Sequence, residues 1–321
     1  MVAVVLGLGL TAAPASASPA LSGVVDQTSH EVRSYWTAQR MREAVPAEGL
    51  LAGVELPADA ASLPRAGEPR SVAPAPRASA IGDAQAAPFR AHGKVYFTLD
   101  DGNPATGDDY VCSGTVVRAR SKRLVTTAGH CVFGFDHFAT NWEFVPAFRD
   151  GDKPFGEWTA QRLATTGRWS ALEDISYDVG MATMRRNGNG KRIQEVVGAR
   201  GIAFNQPRDQ RYHAYGYPAE DPFSGNRLFM CDSAYEGADS GQGTPAPMRI
   251  TCDMTGGSSG GGWIVGERFL NSVVSYGYEC AVDDLLCEIL GGNPEEGKLF
   301  GPYFGATIRK LYRTERRLRQ H

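Results

Sequence analysis

The feature that most constrains this chain is a run of glycines around two serines, Gly-Gly-Ser-Ser-Gly-Gly-Gly-Trp, at positions 256–263. Glycine has no Cβ, so such a run predicts a tight turn whose backbone approaches a ligand closely and points N–H groups at it. N–H groups arranged in this way stabilise an oxyanion. A serine in such a turn becomes a nucleophile when a histidine removes its proton. We therefore predict that Ser259 is a nucleophile.

The histidine that this serine needs lies far upstream. His130 follows Leu-Val-Thr-Thr-Ala-Gly at 124–129, and a neutral imidazole is the natural proton acceptor near physiological pH. The alternative interpretation is a hydrogen-bonded core histidine. In α/β-hydrolases the serine of a Gly-x-Ser-x-Gly motif precedes the histidine, whereas here the histidine comes first.

Three blocks in this order carry a family resemblance: 124–131 with His130, Tyr-Asp-Val-Gly-Met-Ala at 177–182, and Gly-Ser-Ser-Gly-Gly at 257–261. They resemble the His, Asp and Ser blocks of chymotrypsin/trypsin-type serine peptidases, and most of all the secreted bacterial branch that includes glutamyl endopeptidases. The resemblance covers roughly residues 94–315. It implies an all-β fold of two antiparallel six-stranded β-barrels with a C-terminal helix, and an active site between the barrels that needs no cofactor.

A carboxylate should hold the imidazole of His130 in the right tautomer. Asp178 leads the apolar run Val-Gly-Met-Ala-Thr-Met and can sit at a strand edge, pointing inward. Asp174 is the competitor, but it lacks that run. The resemblance places the oxyanion hole at the N–H groups of Gly257 and Ser259.

The resemblance also implies substrate-binding residues. Ser275, Tyr276 and Gly277 resemble the family strand that pairs with the substrate backbone, with the Ser275 hydroxyl near the triad carboxylate. Asp253 stands six residues before the nucleophile, where trypsin-like members keep the carboxylate that binds Arg or Lys. An apolar preference stays open. Glutamyl cleavage is disfavoured because Val274 replaces that branch's histidine.

One departure concerns activation. Most vertebrate-type members have Asp directly before the nucleophile, where it pairs with the newly cut N-terminus, and here that residue is Ser258. The ion pair cannot form. Removal of a pro-region would have to act by unblocking the site or by refolding it.

Six cysteines predict three disulfides. The resemblance implies Cys112–Cys131. We further predict Cys231–Cys252, which joins a strand to the one entering the serine loop, and Cys280–Cys287, which is local in sequence. Zinc held by Cys112, His130 and Cys131 is the disfavoured alternative, because no Cys-x-x-Cys spacing occurs. We expect no metal. The acidic stretch 100–109 lacks the spacing of an EF-hand and is predicted to be a solvated turn.

The N-terminal part divides by composition. Residues 1–17 resemble a secretory signal without its basic start, so the natural start is expected upstream. We predict one amphipathic helix over 22–45 that ends at Pro46, and little apolar burial over 46–88. Residues 18–90 are interpreted as a pro-region or linker, with a plain spacer as the alternative, and residues 91–321 as the peptidase domain.

The net charge of −3 argues against nucleic acid or an anionic membrane surface as a partner. We expect a secreted monomeric endopeptidase that acts on proteins or peptides and has no membrane contact once its signal is removed. The alternative function is a catalytically inactive family member that binds peptides or surface material.

Strands are predicted over 94–99, 110–117, 123–127, 143–148, 157–163, 179–184, 212–217, 226–231, 248–252 and 272–278, with a closing helix from 306.

Overall fold

The computed structural model describes residues 19–51, 79–100, 109–278 and 297–317. The strands are β1 (Leu21–Val24), β2 (Val45–Pro46), β3 (Ser79–Ala80), β4 (His92–Thr98), β5 (Asp109–Val116), β6 (Leu124–Thr127), β7 (Phe133–Gly134), β8 (His137–Phe138), β9 (Thr140–Pro146), β10 (Trp158–Thr165), β11 (Gly180–Met184), β12 (Gly201–Ile202), β13 (Arg211–Gly216), β14 (Phe229–Ala238), β15 (Met248–Thr251), β16 (Gly262–Val265), β17 (Phe269–Val273), β18 (Tyr276–Gly277) and β19 (Lys298–Gly301). The helices are α1 (Ser29–Tyr35), α2 (Ala38–Glu43), α3 (Gly167–Leu172), α4 (Ile193–Val197) and α5 (Ala306–Glu315), with short 3-10 turns at Ala47–Leu51, Phe89–Ala91 and Ile175–Tyr177.

Six strands close into a first barrel in the order β9-β4-β5-β6-β11-β10, with β10 returning to β9. Its interior is built by the period-two alternation of the strands. In β4, Val95 and Phe97 belong to the barrel core, whereas Tyr96 packs outside it against Trp36.

The second sheet runs β12-β17-β16-β13-β14-β15-β19-β18, and its central six strands are antiparallel neighbours. Helix α5 follows it and buries Ile308, Leu311 and Tyr312. The predicted all-β class, the first six-stranded barrel and the C-terminal helix are confirmed. In the part of the chain described above, no helix has the length and apolarity to cross a membrane.

The single helix predicted over 22–45 is wrong. The chain forms β1, then α1 and α2, because two threonines start separate helices. Thr28 forms a capping box with Glu31, and the Thr37 side chain accepts the N–H of Arg40. The prediction of little apolar burial over 46–88 is also wrong at its start, since Ala47 and Leu51 are buried.

Two predicted disulfides are present, Cys112–Cys131 and Cys231–Cys252. The predicted pair Cys280–Cys287 lies outside the described residues. Most predicted strands occur with boundaries shifted by up to three residues. The exceptions are 226–231, where the strand runs from Phe229 to Ala238, and 272–278, which divides between β17 and β18.

Candidate active site

The side chains of His130 and Asp178 meet at the base of the cleft. His130 donates its backbone N–H to Asp178 Oδ1 at 2.8 Å, and its Nδ1 lies 2.9 Å from Asp178 Oδ2. The two side chains are 1% and 0% exposed. A buried carboxylate bonded to Nδ1 fixes the orientation of the ring and leaves Nε2 as the nitrogen available for proton transfer.

His130 is positioned just beyond β6, where the chain turns through Gly129. A Cβ on Gly129 would lie 2.8 Å from Asp178 Oδ1 and from the Trp169 ring, so only glycine lets the carboxylate come this close. Cys131 anchors the other side of the turn to β5 through its disulfide with Cys112. The residues on either side of the histidine, Gly129 and Cys131, therefore each have a structural reason.

The serine loop lies between β15 and β16 of the second sheet. Gly257 has φ +89°, which confirms that this position needs glycine. Ser259 is fully buried. Ser113 of β5 holds the loop: its hydroxyl donates to the Gly257 carbonyl at 2.9 Å, and its N–H donates to the Ser259 carbonyl at 2.7 Å.

A side chain from the N-terminal segment occupies the cleft. Glu48 Oε2 accepts the N–H of Gly257 at 2.8 Å, and Oε1 accepts the N–H of Ser259 at 3.3 Å and its hydroxyl at 2.6 Å. His130 Nε2 is buried and has no hydrogen-bond partner among the described residues. The proton of Ser259 is therefore directed at Glu48 and not at the imidazole.

Two pKa shifts follow from this enclosure. Burial alone would lower the pKa of His130, but the charge and hydrogen bond of Asp178, together with the charge of Glu48, outweigh it and raise the pKa above its ordinary value. Burial raises the pKa of Glu48, against the opposing effects of His130 and of the hydrogen bonds from Ser259 and Gly257. The raised pKa of His130 favours the charged imidazole, and the raised pKa of Glu48 favours the protonated carboxyl group.

The other predicted triad candidate is engaged elsewhere. Asp174 Oδ2 lies 2.6 Å from Arg168 Nη2, and Asp174 Oδ1 accepts the N–H of Ser176. The Ser275 hydroxyl donates to Asp178 Oδ2 at 2.5 Å, close to the carboxylate beside which the family resemblance places it.

A cavity of about 140 Å³ opens beside the serine loop. Its lining includes the predicted substrate residues Tyr276 and Gly277, together with Glu48, Glu220, Met254, Thr255, Gly256, Ser258, Val274 and Leu299. The Tyr276 hydroxyl is turned away to donate to Asp239 at 2.7 Å. Asp253 is half-buried and lies outside this lining.

The zinc alternative does not fit these residues. The ligand atoms of Cys112, His130 and Cys131 lie within 4.8 Å of one another, but the two sulfurs are joined in a disulfide and are not thiolates.

Comparison with known proteins places this geometry in a family. The chain is 38% identical to the protease Anisep from Arthrobacter nicotinovorans in its crystal structure, with a TM-score of 0.61 over 70% of this chain and 95% of that one. It is 36% identical to the thermostable serine protease AL20 from an extremophilic microorganism, with a TM-score of 0.60 over 70% and 96%. The chain belongs to the chymotrypsin-like serine proteases. A Glu endopeptidase, 16% identical with a TM-score of 0.56, shares the protease's fold.

No family model matches the protease. A curated protein, the extracellular metalloprotease of Bacillus subtilis (strain 168), is 26% identical to it over 121 residues. That match spans 37% of each protein, so the protease covers little more than a third of this relative.

Sequence reasoning missed two residues of the protease's site. Ser113 lies in a strand beside Cys112, and only its contacts with the serine loop identify it as part of the site. Glu48 lies 211 positions from Ser259, in a segment with no motif around it. Neither carries a local sequence signal that could have indicated its place.

Proposed function

We propose that this serine protease is a secreted endopeptidase, made with an N-terminal pro-region, that hydrolyses peptide bonds through an acyl-enzyme on Ser259. One observation supports this most: the N–H groups of Gly257 and Ser259 both point at one carboxyl group, that of Glu48, beside the nucleophilic oxygen. Two converging donors are what a tetrahedral oxyanion requires. Secretion is supported by the signal-like residues 1–17 and by the two disulfides.

In the proposed reaction, His130 Nε2 takes the proton of Ser259 Oγ as that oxygen attacks the substrate carbonyl carbon. Asp178 stabilises the resulting imidazolium, and the N–H groups of Gly257 and Ser259 bind the oxyanion. His130 then gives the proton to the departing amine, which leaves an ester on Ser259. Water, deprotonated by His130, hydrolyses that ester and restores the hydroxyl.

Substrate binding in this proposal uses the strand Ser275 to Gly277 for the peptide backbone and the adjacent cavity for the side chain before the scissile bond. Met254, Val274 and Leu299 give the cavity apolar walls, which supports an apolar or an aliphatic-stemmed side chain. Asp253 as the residue that selects Arg or Lys remains a prediction.

Covalent labelling tests the proposal. A fluorophosphonate should modify Ser259 in protein from which residues 19–51 have been removed, and His130→Ala should abolish the labelling. Loss of a triad member is expected to lower turnover by about four to six powers of ten.

Ser258→Ala is the matched control. The Ser258 hydroxyl donates to the Thr255 carbonyl. Its removal in Ser258→Ala is expected to leave the labelling of Ser259 intact. If the freed protein takes up no label on Ser259, the alternative of a non-catalytic, peptide-binding family member is favoured instead.

A further inference from the structure

The cleft of this protease is closed by its own chain. Both oxyanion donors and the Ser259 hydroxyl are bound to the one carboxylate of Glu48. We propose that residues 19–51 are an intramolecular inhibitor and that Glu48 is the inhibitory residue, which fills the oxyanion hole. This inference rests on the proposed function, because it takes the occupied site to be the catalytic one.

The chemistry of Glu48 explains why the inhibitor is not consumed. Ser259 meets a carboxylate, whose carbon is a poor electrophile and carries no amine that could leave. The hydroxyl proton is donated to Glu48 at 2.6 Å, while His130 Nε2 has no partner among the described residues. The nucleophile therefore makes no hydrogen bond to its base and faces a group that cannot acylate it.

The segment is held by contacts that do not involve the active site. β1 pairs with β10, antiparallel, and adds a strand outside the first barrel. Gln27 exchanges two hydrogen bonds with Asn141, at 2.6 and 2.7 Å. The Tyr35 hydroxyl donates to Asp109 at 2.6 Å.

Apolar burial adds to these polar contacts. Val32 and Trp36 are 0% and 4% exposed and lie in one cluster with side chains of the barrel exterior. β2 then pairs with β5, parallel, with Val45 opposite Tyr110. Because β5 continues to Ser113, which contacts the serine loop, this pairing delivers Glu48 to the oxyanion site.

A consequence for activation follows. The contacts named above all lie at or before Leu51, which is buried, and the next described residue is Ser79. A cut between these two residues would break the chain but none of the contacts named above. Cleavage alone therefore leaves the inhibitor in place, and activity appears only when residues 19–51 dissociate or are degraded.

The test uses the full-length, uncut chain. Glu48→Ala should increase the rate of fluorophosphonate labelling of Ser259 by at least about tenfold, since the lost bonds are charge-assisted. Glu48→Gln keeps the shape of the side chain and should give a smaller increase. Intact-mass measurement shows that the labelled chain is uncut.

Glu43→Ala is the matched control, because Glu43 is exposed in the same segment and its carboxylate accepts a hydrogen bond from the Gln39 side chain, away from the cleft. Its labelling rate should equal that of the wild type. If wild-type protein freed of residues 19–51 is labelled while uncut Glu48→Ala is not faster than wild type, the inhibitory role of Glu48 is overturned and the proposed function stands. If the freed protein is not labelled either, the proposed function fails with it.

A second carboxylate, that of Glu220, stands at the mouth of the same cavity. Glu220 Oε2 accepts the N–H of Gly256 at 2.9 Å, and a Cβ on Gly256 would lie 2.6 Å from the Glu220 carboxyl carbon. The backbone of Glu220 is fixed by two hydrogen bonds with the Thr255 hydroxyl, at 3.2 and 3.0 Å. Glycine at 256 leaves the space that this carboxylate fills.

We infer that Glu220 is a specificity-determining residue that favours Lys or Arg in the cavity and disfavours acidic side chains. When Glu48 leaves, Glu220 remains as a carboxylate of the lining, beside the apolar walls of Met254, Val274 and Leu299. Lysine and arginine combine an apolar stem with a cationic head and fit such a lining. This inference also rests on the proposed function.

Matched peptide substrates that differ only in Lys, Gln or Glu before the scissile bond test this role on the freed enzyme. Glu220→Gln should lower the Lys-to-Gln ratio of kcat/KM about threefold to fivefold, the range for a solvent-accessible charge pair. Glu267→Gln, an exposed acid in the turn between β16 and β17, should leave the ratio unchanged. A ratio that Asp253→Asn lowers and Glu220→Gln does not would overturn the assignment in favour of Asp253.

Discussion

Ser113 shows how one residue of the first barrel sets the geometry of a loop in the second sheet. Its hydroxyl donates to the Gly257 carbonyl at 2.9 Å and accepts the N–H of Tyr217 at 2.8 Å. Its own N–H donates to the Ser259 carbonyl at 2.7 Å. The peptide groups on both sides of the Ser259 N–H, a proposed oxyanion donor, are therefore fixed from across the interface.

Ser113→Ala should lower kcat by about tenfold and leave KM nearly unchanged. The Gly257 carbonyl would lose its partner, and the oxyanion donors would no longer be held for a charge that exists only in the transition state. Steady-state kinetics of the freed enzyme on a peptide substrate measure both constants.

Ser233→Ala separates this effect from a general loss of packing. Ser233 is a buried serine that also bridges two backbone groups, the Ala234 carbonyl and the N–H of Thr251. Ser233→Ala should lower the melting temperature about as much as Ser113→Ala does, but should leave kcat unchanged. A Ser113→Ala enzyme with wild-type kcat would show that the loop holds its shape without this hydroxyl.

At the scale of elements, the strands around the histidine were predictable from the sequence. Val95, Phe97 and Val125 alternate with outward-facing residues, and a period of two specifies a strand wherever one face is buried. The turns that carry the histidine and the serine were predictable because their glycines are required locally. Gly257 has a positive φ, and the Asp178 carboxylate approaches Gly129 closely.

Other elements could not be predicted from local patterns. The region 22–45 has a helical distribution of apolar residues, but the caps at Thr28 and Thr37 divide it, and packing against the barrel decides the outcome. β16 follows the glycine run directly, so Gly262–Val265 shows too few residues to alternate. The contact of Glu48 with Ser259 joins positions 211 apart and depends on the whole fold.

At the scale of the whole molecule, the docked segment covers a second acid, Glu143 of β9. Its side chain is buried and neither oxygen has a hydrogen-bond partner among the described residues. Burial first, and then the charge of Glu157, raise the pKa of Glu143 to about 8, against the lowering effect of Lys153 and Arg33. α1 of the segment packs on β9, so docking and the protonation of Glu143 are linked.

We therefore predict that the segment docks more weakly as pH rises. An exposed glutamate has a pKa of about 4.3. Because the segment contributes to the burial that raises this pKa, the docked state loses stability as pH rises toward 8, by at most about tenfold in the dissociation constant per pH unit. Glu143→Gln, which cannot ionise, should remove its share of this dependence, while the raised pKa values of Glu48 and His130 leave a weaker dependence of the same sign.

The measurement is the fraction of segment that stays bound after a cut between residues 51 and 79, in a Ser259→Ala background that cannot digest itself. Size-exclusion chromatography from pH 5 to 8.5 reports this fraction. A wild-type curve that matches the Glu143→Gln curve would show that Glu143 does not carry the linkage.

The strand β1 has a consequence beyond inhibition. While it is present, residues Arg162 to Thr165 of β10 have their outer backbone groups paired with it. Once it leaves, that stretch becomes an open sheet edge, and an open edge adds any extended chain as a new strand. The enzyme without residues 19–51 would then bind extended polypeptides at this edge, including unfolded copies of itself. Because such binding leads to aggregation, its activity should be lost faster as its own concentration increases.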